Sequence, residues 1–316
     1  MPSIAVDQEL MDAAQAGSAD RVSELLACGA NPRKKNSCAL RLAAENGHVE
    51  CVRMLLPVSD AKAADSAALR IAAHNGHVAC LTLLLAVSDP MAESCHALRA
   101  AAHNGKMACV RLLLPVSDPR AEDSYALRWA AHNGHVACLN LLLPVSDAKA
   151  RESLALRWAA ENGHEECVRL LLPASDPRAK ESVALRRAAE SGCVECVRLL
   201  LPVSDAKAED FYALRWAGSN GRAECVRLLL PVSGPIGEIE GLLEEVLVAG
   251  QAKVAALLVE EDPRILDGVD LSECLAAAHK KGHADLAAYL SSIRDQKELL
   301  LVAPEKPACR LGAARL

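Results

Sequence analysis

Aromatic residues are nearly missing from this chain. Three Trp, three Tyr and one Phe make up 2% of 316 residues, so the interior is expected to be thin and built from small and medium aliphatics. Long apolar runs are missing too. None reaches the ~18 residues a membrane span requires, and the opening MPSIAVDQELMDAAQAG has no basic start followed by an apolar block, so it does not read as a secretory leader. No Lys/Arg-rich run occurs and the formal net charge is −6, which argues against a nucleic-acid partner. No Gly-rich phosphate loop, Ser/His/Asp set or carboxylate pair at fixed spacing stands out. Neither a cofactor, a metal nor a catalytic residue is expected.

What the chain has in abundance is repetition. The stretch Asp123–Pro144, DSYALRWAAHNGHVACLNLLLP, is rewritten every 29 residues, giving seven copies in register at Gly47, Gly76, Gly105, Gly134, Gly163, Gly192 and Gly221. Fainter copies centre on Gly17, Gly250 and Gly282. A fixed period of this length marks a stacked array, which grows by adding units rather than by enlarging one core.

Each copy has the same grammar. Asp123 or Ser124 is expected to cap a first helix that runs through Ala-Leu-Arg-Trp-Ala-Ala and stops at Asn133-Gly134, where Gly accepts the left-handed helix end. A second helix follows from His135 to Leu143, and Pro144 ends it because the residue before proline leaves the helical region. Neither helix has the ~12–15 residues that stand alone in water, so neighbours must hold each other. The expected organisation is a degenerate capping repeat over 1–35, seven regular repeats over 36–232, two degenerate repeats over 233–293, and a short helical or disordered tail over 294–316.

Seven of the 13 cysteines occupy one repeat position: Cys51, Cys80, Cys109, Cys138, Cys167, Cys196 and Cys225. Equivalent atoms of stacked helices lie roughly 8–10 Å apart, beyond the ~7 Å Cα separation a disulfide tolerates. They read as free thiols filling a buried site in a reducing compartment, hence a cytoplasmic location. Cys193-x-x-Cys196 has metal or redox spacing, but it has no second pair and Cys196 belongs to the buried column.

ALR-x-AA-x-NGH followed by CVRLLL resembles the ankyrin repeat, and the likeness runs through most of the chain. It implies an all-α, ankyrin-like solenoid of about ten helix-turn-helix units, a curved stack, and protein recognition rather than catalysis. Two departures stand out. The period is 29 against the usual ~33, and the missing residues fall where the family places its β-turn fingers, which should be shortened or absent. The family's Thr-Pro-Leu-His wording is replaced here by pairs such as Tyr125-Ala126 followed by Leu and Arg128.

Helical spacing sorts the first helix by face. Leu127, Ala130 and Ala131 share one side, the expected core. Tyr125, Trp129 and His132 fall on the other, and the same columns hold Trp158 and Glu161, then Tyr212 and Trp216, with His103 and His74 earlier in the chain. One reading makes these columns the partner-binding face of a concave groove, since buried aromatics anchor interfaces. The other lays the Trp rings over the joints between repeats. Arg41, Arg70, Arg99, Arg128, Arg157, Arg186 and Arg215 form a ladder. It reads as a structural brace bonded to loop carboxylates such as Asp118, Glu122 and Asp123, or as a basic stripe for an acidic partner. The sequence thus predicts a non-enzymatic, monomeric scaffold for a protein or peptide partner. The alternative is a secreted pathogen or symbiont effector working through the same array in a host cytosol.

Overall fold

The computed structural model describes residues 4–235, 239, 241–267 and 269–302. Twenty α-helices and no strand occur among them. The chain forms two compact units, Met1–Asp205 and Ala206–Leu316.

In the first unit seven helix pairs follow one another. The first helices are α1 (Ile4–Ala16), α3 (Lys34–Glu45), α5 (Ala63–Asn75), α7 (Ala92–His103), α9 (Ala121–His132), α11 (Ala150–Glu161) and α13 (Ala179–Ser191). Their partners are α2 (Ala19–Ala27), α4 (Val49–Leu55), α6 (Val78–Leu85), α8 (Met107–Leu113), α10 (Val136–Leu142), α12 (Glu165–Leu171) and α14 (Val194–Leu200). Each helix packs on its partner and on its counterpart in the next pair, which makes two layers. Successive first helices lie together much more extensively than successive second helices.

The second unit repeats the plan with α15 (Ala208–Ser219) on α16 (Ala223–Ser233), α17 (Leu242–Val248) on α18 (Ala252–Glu261), and α19 (Leu271–Lys281) on α20 (Ala284–Val302). This is an all-α repeat solenoid. The links between pairs are turns, without the strand pairing of a β finger, as the short period predicts. The last helix extends to Val302; the rest of the sequence-predicted tail lies outside the described residues.

The core is columnar. Leu98, Ala101, Ala102, Cys109, Val110 and Leu113 and their counterparts in the other regular copies are buried almost completely. The paired alanines let helix backbones approach closely, and each buried leucine contributes roughly 2–3 kcal/mol of apolar transfer. The thiols of the cysteine column are free. Burial pushes Cys138 and Cys167 up to about 11, so they behave as small apolar groups.

The start of each first helix differs from the sequence expectation. Neither Asp123 nor Ser124 caps its own helix. Glu122, Asp123 and Ser124 instead make a left-handed turn (φ 52–58°), and the same triad recurs in all seven regular copies. Left-handed backbone costs a residue with a Cβ roughly 1–2 kcal/mol, so something must hold the turn. Ser124, fully buried, accepts the N–H of Asp147 from the next link at 2.8 Å. Ser37, Ser66, Ser153 and Ser182 do the same for Asp60, Asp89, Asp176 and Asp205. Asp147 in turn accepts the N–H of Lys149 at 2.8 Å, an Asx turn that starts the next pair.

The seventh copy shows what that aspartate does. Pro-Val-Ser-Asp becomes Pro231-Val232-Ser233-Gly234, and α16 runs on through Pro231 to Ser233 rather than stopping before the proline. With no aspartate to start the turn, Ser233 donates its hydroxyl to Leu229 O at 2.9 Å and the helix continues to Gly234.

Candidate functional site

The arginine ladder completes the turn. Arg128, only 3% exposed, donates Nε to Asp123 O at 2.9 Å and Nη2 to Glu122 O at 2.6 Å. Arg41, Arg70, Arg99 and Arg157 each donate Nη2 to the carbonyl six residues earlier, at Lys35, Ala64, Glu93 and Arg151. The partners are therefore mostly backbone carbonyls of the left-handed turn, where the sequence suggested loop carboxylates. Local geometry explains the choice, because a left-handed turn aims its carbonyls back toward its own helix. Arg70 additionally pairs with Glu93. In the second unit Arg215 bonds the carbonyl and carboxylate of Asp210, both at 2.8 Å, and Glu245 at 2.8 Å. Arg186 occupies the equivalent position on α13.

The aromatic column lies on the outer side of the first-helix layer. Trp129 is half-buried, with ring centroids 4.8 Å from His103, 5.7 Å from Tyr125, 4.9 Å from His132 and 5.3 Å from Trp158. His132 also meets Trp158 edge-on at 5.1 Å. The rings thus bridge three successive pairs while each keeps an exposed edge. Arg99 lies 5.0 Å above the Tyr125 ring, and Arg128 lies 5.5 Å from Tyr125 and 5.9 Å from Trp158. Such cation–π contacts contribute roughly 0.5–2 kcal/mol each. Glu161 is exposed at the end of α11. Tyr212 and Trp216 form their own pair at 5.4 Å on α15 of the second unit, with Trp216 39% exposed.

Two histidine columns have different employment. The His that follows Gly47, Gly76, Gly134 and Gly163 is a joint fastener. Nε2 of His48, His77, His135 and His164 bonds a carbonyl of the preceding pair, at Gln15, Glu45, His103 and His132, within 2.9–3.0 Å. The other column, His74, His103 and His132, belongs to the aromatic face. Asn104 Nδ2 donates to His74 Nδ1 at 3.0 Å, and Asn162 Nδ2 to His132 Nδ1 at 3.1 Å. At His132 an N–H aimed at Nδ1 favours neutral imidazole. For His132, burial chiefly lowers the pKa, with His164 and His103 adding to it and Glu161 opposing.

Beside this cluster a cavity of about 180 Å³ is lined by His74, His96, Arg99, Ala100, His103, Asn104 and Tyr125. Sequence reading passed over His96 and Arg99 as groove residues. His96 stands one period before Tyr125, in the same column, and that register was the available signal. Its Nδ1 lies 3.2 Å from Glu93, while burial, then Arg70 and Arg99, hold its pKa down.

Among the described residues no group of three or more His, Cys, Asp or Glu is arranged to hold a metal ion. Nor is any described helix long and apolar enough to cross a membrane. The geometry offers a half-buried aromatic patch edged by imidazoles and guanidinium groups, on a rigid layer of short helices.

A comparison with curated proteins finds no match. A family profile described as ankyrin repeats (3 copies) matches residues 10–94, 97–181 and 156–237. These matches take in well over half of the 316 residues, and the helix pairs, their joints and the Leu-Ala-Ala core all repeat through the matched region: the chain belongs to the ankyrin-repeat family.

Proposed function

We propose that the first unit binds a protein or peptide partner on its first-helix layer, with Tyr125, Trp129 and Trp158 as anchors and His74, His103, His132 and Glu161 around them. Ankyrin repeats are protein–protein interaction modules, a family that is typically non-enzymatic, and the proposal assigns that role to one face. The observation that carries it is the placement of Trp129 and Trp158: rings 5.3 Å apart, half-buried and ringed by polar groups. Half-buried Trp and Arg held rigid before a partner arrives lose little freedom on binding, and such residues make interface hot spots. The first helices pack densely on one another, giving an elongated partner a continuous layer to lie along. In the second unit Tyr212 and Trp216 occupy the same repeat positions.

The test is affinity capture with the full chain and its Trp129→Ala and Trp158→Ala variants, the fold of each checked by circular dichroism. A partner retained by the parent chain is expected to be lost from both variants, hot-spot truncation costing about 2 kcal/mol or more. Equal capture by well-folded variants would move the binding face elsewhere.

A further inference from the structure

At one joint of the first unit the fastening histidine is replaced by a cysteine. Cys193 occupies the position of His135 and His164, and where their imidazoles press on the glycine of the preceding pair, Cys193 leaves ordinary van der Waals space beside Gly163. The carbonyl bond that His48, His77, His135 and His164 make needs an imidazole nitrogen, so it is not available to this side chain. Cys193 has a different partner instead.

Cys193 is the N-cap of α14, and its Sγ accepts the backbone N–H of Cys196 at 3.4 Å. The exposures of the two thiols differ sharply. Cys193 is half-buried, whereas Cys196 is fully buried in the cysteine column. Residues at the N-cap and at the third helical position have Cα atoms within the ~4.4–6.8 Å a disulfide accepts, unlike the columnar cysteines, which stand one repeat apart.

We propose that Cys193 and Cys196 are a redox-active dithiol that exchanges with small-molecule disulfides of the glutathione class. The Cys193 thiolate attacks one sulfur of the disulfide, releases one thiol, and is left as a mixed disulfide. Cys196 then gives up its proton and attacks Sγ of Cys193, forming the internal S–S bond and releasing the second thiol. The pair loses two electrons and the small disulfide gains them, with both protons carried off on the released thiols. Cys193 is the sulfur a small disulfide can reach, since it is half-buried while Cys196 is closed off, and its Sγ already accepts the backbone N–H of Cys196. Burial, first, and the neighbouring Cys193 hold the Cys196 thiol protonated. Cys193 is thus the attacking sulfur and Cys196 the resolving one.

The experiment incubates the full chain with oxidised glutathione, quenches it with an alkylating agent, and maps peptides by mass spectrometry. Exposed Cys28 serves as an internal control for unassisted exchange. The expected result is an internal Cys193–Cys196 disulfide in the parent chain that dithiothreitol reverses. Cys193→Ser should abolish all modification at the site, serine being a good N-cap. Cys196→Ala should instead trap glutathione on Cys193. A parent chain that carries glutathione on Cys28 while Cys193 stays alkylated as a free thiol overturns the proposal. So does one that stops at the mixed disulfide on Cys193.

Discussion

The hydroxyl of Ser124 accepts the backbone N–H of Asp147 at 2.8 Å, so the buried serine of one repeat holds the turn of the next. Removing it by Ser124→Ala leaves that N–H without its acceptor, at a cost of about 1–2 kcal/mol. The third regular copy supplies a contrast, because there the acceptor is Cys95, whose Sγ receives the N–H of Asp118 at 3.2 Å. Sulfur accepts weakly. Cys95→Ser is therefore expected to stabilise the chain by about 0.5–1 kcal/mol, opposite in sign to Ser124→Ala. Urea midpoints of the two variants measure both effects, and a destabilised Cys95→Ser would show that the serine column is filled for shape rather than for its hydrogen bond.

The regularities that are legible in the sequence are those carried by neighbouring residues. The period of 29, the Leu127/Ala130/Ala131 face and the Asn133-Gly134 stop all follow from helical spacing and turn chemistry. The Trp129 column also points away from the core, as its offset from Leu127 requires. What the sequence hides is non-local. Glu122-Asp123-Ser124 has the wording of a helix cap and contains no glycine or asparagine to signal a left-handed turn. Its support comes from Arg128 and from a link in the following repeat. His96 escaped notice because its column neighbour Tyr125 carries the more conspicuous side chain. Composition likewise gives no sign of the division after Asp205, since the repeat continues there in the same wording.

Arg128 supports the turn from within its own helix, through the carbonyls of Glu122 and Asp123. Its guanidinium is almost fully buried, and burial, followed by Arg151, lowers its pKa while Asp123 opposes. Arg128→Ala removes the donors from two turn carbonyls and a cation from the Tyr125 and Trp158 rings. A loss of about 3 kcal/mol is expected from bonds to a charged donor and the lost ring contacts. Arg128→Lys should recover only part of this, because an ammonium cannot present a fork to two carbonyls at once. If Arg128→Lys unfolds at the parent's urea midpoint, the planar fork is irrelevant and only the charge matters.

Acid should loosen the aromatic face. The pKa of His132 is held below its ordinary 6.5 in the folded chain, so the folded state binds fewer protons there than the unfolded state. Its stabilising contribution is complete above pH 6.5 and is lost as pH falls through that value toward the lower folded pKa. His96 has the same sign, while Asp7, whose pKa is lowered from 3.8 by Asn31 and Lys34, loses its contribution only in a lower pH window. His132→Gln should therefore flatten, without abolishing, the fall in thermal midpoint between about pH 7 and pH 5. An unchanged slope would mean that His132 titrates alike folded and unfolded.

Two glycines with the same backbone separate strain from crowding. Gly134 and Gly163 both have φ +72°, so alanine at either meets the same left-handed penalty of about 1–2 kcal/mol. Their neighbours differ. A Cβ on Gly134 would stand 2.7 Å from Nδ1 of His164, whose Nε2 is fixed at 2.9 Å to His132 O, whereas a Cβ on Gly163 would stand 3.7 Å from Cys193. Gly134→Ala must therefore also displace the imidazole and break its bond, adding about 1–2 kcal/mol. The excess should vanish when His164 is first replaced by Ala, so that Gly134→Ala in that background costs no more than Gly163→Ala in the parent. Equal costs in the parent chain would mean that the imidazole swings aside freely and that the histidine joints fasten nothing.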